Sequence, residues 1–268
     1  MQESKTSELI GTSGVTYCSS CKEPLEMMID GGPILGMDKY PRMCACQRKK
    51  HELEQQERIK REHDDLVIRN RSICFEEKKM NQWTFTNDGG CNAVIDRGKA
   101  YVANWLEMKQ QNIGYLFWGP VGTGKSYIAG CIANALLQQE VTVKMTTFTT
   151  IIDDMFSLEE KTEYINALAR YELLIIDDLG AERSSEYATG IVFSVIDRRW
   201  RSGKPLIITT NLPLKALKEE TNPEKKRIYD RILNMCTPVY VGGESKRRVS
   251  TEKKMQYIKS VLDKGDVR

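Results

Sequence analysis

No apolar run in this sequence approaches the roughly 18 residues that a membrane-spanning helix requires. The first fourteen residues, MQESKTSELIGTSG, also lack the apolar core of a secretory signal, so the expected location is the cytosol. Disulfides are rare there, and the eight cysteines need another explanation. A strong net charge is missing as well. Forty Lys and Arg against 37 Asp and Glu leave +3, so no whole-molecule field points to nucleic acid. No internal repeat is present. What remains is an ordinary soluble balance, 40% hydrophobic and 29% charged over 268 residues. That length suits one domain of roughly 180 residues with a smaller appendage.

Charge is uneven locally. Glu244 to Arg268 carries 8 basic and 4 acidic residues, and Arg198, Arg199, Arg201 and Lys204 form a second cluster. Such runs are either solvated faces or contacts for nucleic acid.

Three regions follow from composition. Residues 1–46 combine a polar tail with four cysteines. Residues 47–91 are a helix at 47–70, without Gly or Pro and with sparse apolar positions, and then a linker at 71–91 ending in Asn87-Asp88-Gly89-Gly90. Residues 92–268 alternate helix and strand. Helices are expected at Ala93–Gln111, Lys125–Gln139, Phe148–Ser157, Lys161–Arg170, Tyr187–Arg201 and Pro223–Asn234. Strands are expected at Tyr115–Trp118, Val141–Thr146, Leu173–Ile176 and Pro205–Thr209, with a last one around Val239 and Val241. This alternation predicts an α/β fold, a parallel sheet with helices on both faces.

Gly119-Pro120-Val121-Gly122-Thr123-Gly124-Lys125-Ser126 fits the phosphate-loop pattern in full, between an apolar strand and an amphipathic helix. Its glycines let backbone N–H groups turn toward phosphate oxygens, and the helix N-terminus adds a positive dipole. Lys125 would reach the terminal phosphates of ATP, and the Ser126 hydroxyl would coordinate Mg²⁺. The buried strand Leu173-Leu174-Ile175-Ile176 ends in Asp177 and Asp178, at the sheet edge where ligands sit in this architecture. Asp177 would hold Mg²⁺, and Asp178 would activate the attacking water.

Cys18-Ser19-Ser20-Cys21 and Cys44-Ala45-Cys46 together supply four thiolates, enough for one closed tetrahedral Zn²⁺ site. A small segment with little apolar content needs such a staple. The alternatives are a redox pair at Cys18 and Cys21, or replacement of one thiolate by His51 or His63. Cys74, Cys91, Cys131 and Cys236 are scattered and read as core or incidental residues.

Over residues 70–260 these motifs resemble the AAA+ helicase loaders of the DnaC and DnaI type and their relative, the IstB transposition ATPase. The phosphate loop and Leu-Leu-Ile-Ile-Asp-Asp-Leu-Gly carry the likeness. The resemblance implies an AAA+ ATPase that places a replicative DNA helicase on single-stranded DNA and assembles with copies of itself. It supports the zinc reading, since loaders of the DnaI kind carry an N-terminal zinc-binding domain. It also makes Asn211, in Ile207-Ile208-Thr209-Thr210-Asn211, the first sensor, placed to touch the γ-phosphate or the attacking water. Arg231, in Arg227-Ile228-Tyr229-Asp230-Arg231-Ile232, becomes the arginine finger, and Arg247, in Gly243-Glu244-Ser245-Lys246-Arg247, the second nucleotide sensor. Many AAA+ proteins carry Glu where this chain has Asp178, which implies slow hydrolysis. Residues 147–170 match in position the helical insertion that initiator and loader ATPases use near DNA. Phe148 there is either a base-stacking residue or a core aromatic. The same ATPase motifs would serve an IstB-type transposition helper or an ATP-gated adaptor with little hydrolysis; the cysteine-rich N-terminus favours the loader.

Overall fold

The structure is a computed structural model, described at residues 8–10, 14–28, 38–87, 93–182, 185–245 and 254–258. Arg247, the second sensor, and Cys91 lie outside the described residues. The chain divides into two compact units at Asp65/Leu66.

The first unit holds two small antiparallel pairs. β1 (Glu8–Ile10) pairs with β2 (Thr16–Cys18), and β3 (Glu26–Met28) pairs with β4 (Lys39–Pro41). α1 then runs from Ala45 to Cys74, longer at both ends than the 47–70 expected. At its start, Cys44 N–H donates to Gln47 Oε1 and Ala45 N–H to Glu23 Oε2, satisfying donors that a helix terminus leaves unpaired. Its exposed stretch carries the i,i+4 ion pairs Lys50–Glu54, Glu57–Arg61 and Arg58–Glu62. Past residue 66, Val67 and Cys74 are buried, and Arg71 Nε donates to Asn134 Oδ1. Tertiary packing therefore extends the helix beyond its propensity.

The segment at 75–87, read from sequence as linker, packs closely. Phe75 is buried, and Trp83 lies over Gly130, where a Cβ would come within 2.3 Å of the indole. Next come α2 (Ala93–Ala103) and α3 (Trp105–Gln110), in place of one continuous helix. Asn104 breaks it: its side-chain Nδ2 and its backbone N both donate to Ala100 O.

The second unit is built on five parallel strands: β5 (Gly114–Trp118), β6 (Val143–Thr147), β7 (Leu173–Leu179), β8 (Leu206–Thr210) and β9 (Cys236–Tyr240), in the order β6-β7-β8-β5-β9. Alternate side chains feed two cores. Leu116, Leu174, Ile176, Leu206 and Ile208 meet α5 (Phe148–Ser157), α6 (Lys161–Arg170), α7 (Glu186–Ser202) and α9 (Pro223–Met235). Phe117, Leu173, Ile175, Ile207 and Val239 meet α2 and α4 (Lys125–Leu137). A short α8 (Leu214–Lys218) precedes α9.

Two expectations change here. Phe148 is 1% exposed in the first of these cores, so the base-stacking alternative for it falls. Thr147 caps α5, its Oγ1 accepting from Thr150 N, and that turn carries the aromatic ring inward. Arg199, counted among a surface basic cluster, is fully buried. Its guanidinium donates to Tyr171 O at 2.7 Å, Glu172 O at 3.0 Å, Ala169 O at 3.3 Å and Pro205 O. It joins the chain entering β7 to the chain entering β8.

Candidate nucleotide site and cysteine cluster

The strand order brings the chemistry together. β8 lies between β5, which leads into the phosphate loop, and β7, which ends in the two carboxylates. Asn211, one residue past β8, is thereby set between Lys125 and Asp178. Lys125 Nζ donates to Asn211 Oδ1 at 2.7 Å, and Asn211 Nδ2 donates to Asp178 Oδ1 at 2.9 Å. Lys125 also donates to the loop carbonyls of Gly119 (2.9 Å) and Pro120 (2.7 Å). The ammonium thus lies inside its own loop, where phosphate oxygens would replace the carbonyls. Gly119 has φ 145°, and a Cβ there would meet Val241 O at 2.3 Å, so only glycine lets β9 close against the loop. The cleft beside the loop, about 240 Å³, is lined by Trp83, Val121, Lys125, Ser126, Tyr127 and Asp178 among others.

The carboxylates differ. Asp177 is partly buried and its carboxyl is held above the ordinary range, chiefly by burial and partly by the charge of Asp178. Hydrogen bonds from Thr209 and Ser126 act the other way. Asp178 is exposed and has φ 61°, next to a shift in the β7–β8 register between Ile176 and Leu179. That irregularity turns successive carboxylates to one edge. Thr209 holds both: its hydroxyl donates to Asp177 Oδ1 at 2.5 Å and accepts Asp178 N–H at 2.9 Å. Sequence reasoning quoted Thr209 as part of a strand and missed this role. Two hydroxyls, Thr209 and Thr210, at the end of an otherwise apolar buried strand were the available signal. Ser126 and Asp177 together present the hard oxygens that a Mg²⁺ ion takes.

Arg231 stands on α9 and meets three side chains of α7. Nη2 is 2.7 Å from Asp197 Oδ1, and the guanidinium lies 4.7 Å from the Phe193 ring centre and 5.6 Å from that of Trp200. Asp197 also pairs with Arg201 at 2.7 Å.

The four cysteines expected to act together do meet. The Sγ atoms of Cys18, Cys21, Cys44 and Cys46 all lie within 4.8 Å of one another, with Cys18 and Cys46 at 3.8 Å. Tetrahedral thiolates at a Zn–S distance of ~2.3 Å stand about 3.8 Å apart, so the set fits zinc. Neither His51 nor His63 belongs to the group. Backbone N–H groups stabilise the thiolates of the first knuckle, and Cys21 is lowered to about 6, first by Glu23 N–H. Cys46 is pushed up to about 12, first by Cys21. Without a cation, four thiolates in so small a volume cannot all ionise.

A phosphate loop followed by a sensor strand between loop strand and carboxylate strand defines a P-loop ATP-binding domain of AAA+ architecture. A family model for IstB-like ATP-binding proteins matches residues 45–254, and the chain belongs to that family. The replicative helicase loader DnaC of Escherichia coli K12 is 30% identical over 150 residues, which is 54% of this chain. The match spans 58% of that relative's length. The crystal structure of DnaI superposes with a TM-score of 0.56 at 18% identity, covering 66% of this chain and 99% of that one. The crystal structure of the DnaC helicase loader gives 0.53 at 19%, covering 62% and 100%. At these identities the two structures establish the fold. Among the described residues, no helix is long and apolar enough to cross a membrane.

Proposed function

We propose that this chain is an ATP-dependent loader of a replicative DNA helicase onto single-stranded DNA, working in the cytosol of a bacterium or for a phage. The observation that carries the reading is the convergence of Lys125, Asn211 and Asp178 beside the phosphate loop, in a chain 30% identical over its match to a replicative helicase loader. Bound ATP with Mg²⁺ supplies a phosphoanhydride whose hydrolysis drives a cycle of assembly and release. Lys125 exchanges the Gly119 and Pro120 carbonyls for phosphate oxygens. Ser126 and Asp177 would hold the metal. Asp178, fixed by Asn211, orients the attacking water and accepts its proton. Its side chain is one methylene shorter than Glu, so hydrolysis is slow until assembly or DNA stimulates it. Arg231 of one copy, once it leaves Asp197, completes the pocket of the next. Arg247 would serve as the second nucleotide contact.

The zinc-held N-terminal unit and α1 grip the helicase. Single-stranded DNA meets an exposed aromatic pair, Phe156 (69% exposed) and Tyr187 (42%), with ring centres 5.0 Å apart and Lys161 5.5 Å over Tyr187. They take the role for which Phe148 was the sequence candidate, and aromatic faces of this kind stack bases without sequence preference. A second reading, an IstB-type transposition helper, takes support from the family's name and shares every ATPase residue; the cysteine cluster favours the loader. The third, an ATP-gated adaptor, differs by lacking turnover.

The test is retention of the cognate replicative helicase on immobilised full-length chain, with transfer of the helicase to circular single-stranded DNA as the second readout. ATP-dependent retention and transfer are expected. A chain that hydrolyses ATP yet retains no helicase overturns the loader reading in favour of the transposition helper.

A further inference from the structure

The exposed face of α7 connects two surface features that lie at its opposite ends. Tyr187, Gly190, Ser194, Arg198 and Arg201 are spaced by three or four residues and fall on one side of the helix. All five are exposed. At the amino end Tyr187 pairs with Phe156. At the carboxyl end Arg198 and Arg201 join Arg170, Lys204, Asn166 and Ser202 around a groove of about 390 Å³. Between the two ends the surface is low. A Cβ at Gly190 would meet nothing within 4 Å, and Ser194 turns its Oγ back to Gly190 O.

We propose that this face is a track for one nucleic-acid strand, with bases stacked on Phe156 and Tyr187 and backbone phosphates held in the groove of Arg170, Arg198, Arg201 and Lys204. The proposal rests on the single-stranded DNA reading above and extends it to a phosphate site at the far end of α7.

Charge balance supports the groove. Among the described residues, the ion-paired carboxylates of the groove are Glu163, with Arg170, and Asp197, with Arg201; Asp197 is already shared with Arg231, and the charge of Glu172 acts on Lys204. Buried Arg199 adds a further positive charge beneath them. The Lys204 ammonium is lowered first by burial and then by the charge of Arg199, with Glu172 acting the other way. Carbonyls at the end of α6 would ordinarily attract surface cations. Here Arg199 donates to Ala169 O and Tyr171 O, and Lys204 Nζ to Arg170 O, so Arg170, Arg198 and Arg201 are the groove cations not drawn onto these carbonyls. Arg198 uses its Nε on Asn166 Oδ1, and a guanidinium carries further donors suited to phosphate. The length also fits. From Tyr187 to Arg198 the helix rises about 17 Å at ~1.5 Å per residue, a span of several nucleotides.

The experiment is fluorescence anisotropy of a labelled oligothymidylate with the full chain and ATP, repeated over a range of salt concentrations. The Arg170→Gln/Arg198→Gln double variant touches neither Asp197 nor the nucleotide cleft. It should bind the oligonucleotide more weakly and lower the slope of log K against log salt by about 1.4, two phosphates at ~0.7 each. Its ATP affinity and thermal unfolding should match wild type. Arg198→Lys keeps the charge and should keep the slope. Phe156→Ala should weaken binding with the slope unchanged. If Phe156→Ala weakens binding but the double variant leaves the slope as in wild type, the groove is overturned and the single-stranded DNA reading stands. If wild-type chain with normal ATP affinity binds no oligonucleotide, that reading falls and the track with it.

Discussion

Thr209 donates its hydroxyl hydrogen to Asp177 Oδ1 at 2.5 Å while the same oxygen accepts Asp178 N–H at 2.9 Å. One buried side chain therefore sets the aim of both carboxylates. Thr209→Val keeps the shape and removes the hydroxyl, leaving Asp178 N–H unpaired at a cost of about 1–3 kcal/mol. Turnover should fall about 10–100-fold, while metal-free ATP affinity stays as in wild type and Thr209→Ser restores most of the rate. Steady-state kinetics and nucleotide titration check this; equal losses for Val and Ser would point away from the hydroxyl.

Burial raises the pKa of Asp177, so the folded chain binds that proton more tightly than the unfolded chain. Without metal, the resulting contribution to stability is present at low pH. It is lost as pH rises from the unfolded carboxylate value through the raised folded one. Asp177→Asn should flatten this part of the stability profile, read as denaturant midpoints over pH. Metal-dependent nucleotide affinity should move oppositely, weakening as Asp177 is protonated.

Lys125→Ala should abolish tight ATP binding, because it removes the mobile cation from the cradle. Asp178→Asn should bind ATP and not hydrolyse it, since an amide accepts no proton from water. Asp178→Asn turning over at the wild-type rate would move the base to another group.

Arg231→Ala separates assembly from chemistry. The isolated chain should bind ATP normally and lose assembly-stimulated hydrolysis by roughly 10³–10⁵-fold. Mixing it with the Lys125→Ala chain should partly restore turnover, one copy supplying the pocket and the other the arginine. Absence of rescue at every ratio would leave Arg231 as a packing residue for Asp197, Phe193 and Trp200.

Chain purified without chelator should hold about one zinc per four thiolates. Removal should expose Cys18, Cys21, Cys44 and Cys46 to a thiol reagent and unfold their unit, since a structural zinc contributes on the order of 10 kcal/mol. ATP affinity of the remainder should survive. Metal-free protein with all four thiols reactive from the start would end the zinc reading.

The phosphate loop was legible because it is local. Gly119 to Ser126 are contiguous, and the backbone turn they make depends on their own residue types. The strands and most helices were legible from apolar period, since each must bury one face. The same logic misplaced Arg199, because charge patterns record residue type and not the carbonyls that a fold brings around a side chain. It also ran one helix through Asn104, where the structure breaks it because a side chain competes with the helix.

What the sequence alone determined was the class of chemistry: a phosphate cradle, a strand ending in paired carboxylates, and four thiols in two close pairs. These depend on neighbours along the chain. Tertiary structure decided how they work. Lys125 and Asn211 are 86 residues apart, and Asn211 and Asp178 are 33 apart. They touch because β8 pairs between β5 and β7. Strand order arises from crossover connections and from burial of both sheet faces, which no local spacing encodes. For the same reason Phe148 went inward and the Phe156–Tyr187 pair stayed outside. All three aromatics look alike in the chain, and only the packing of α5 and α7 on the sheet distinguishes them.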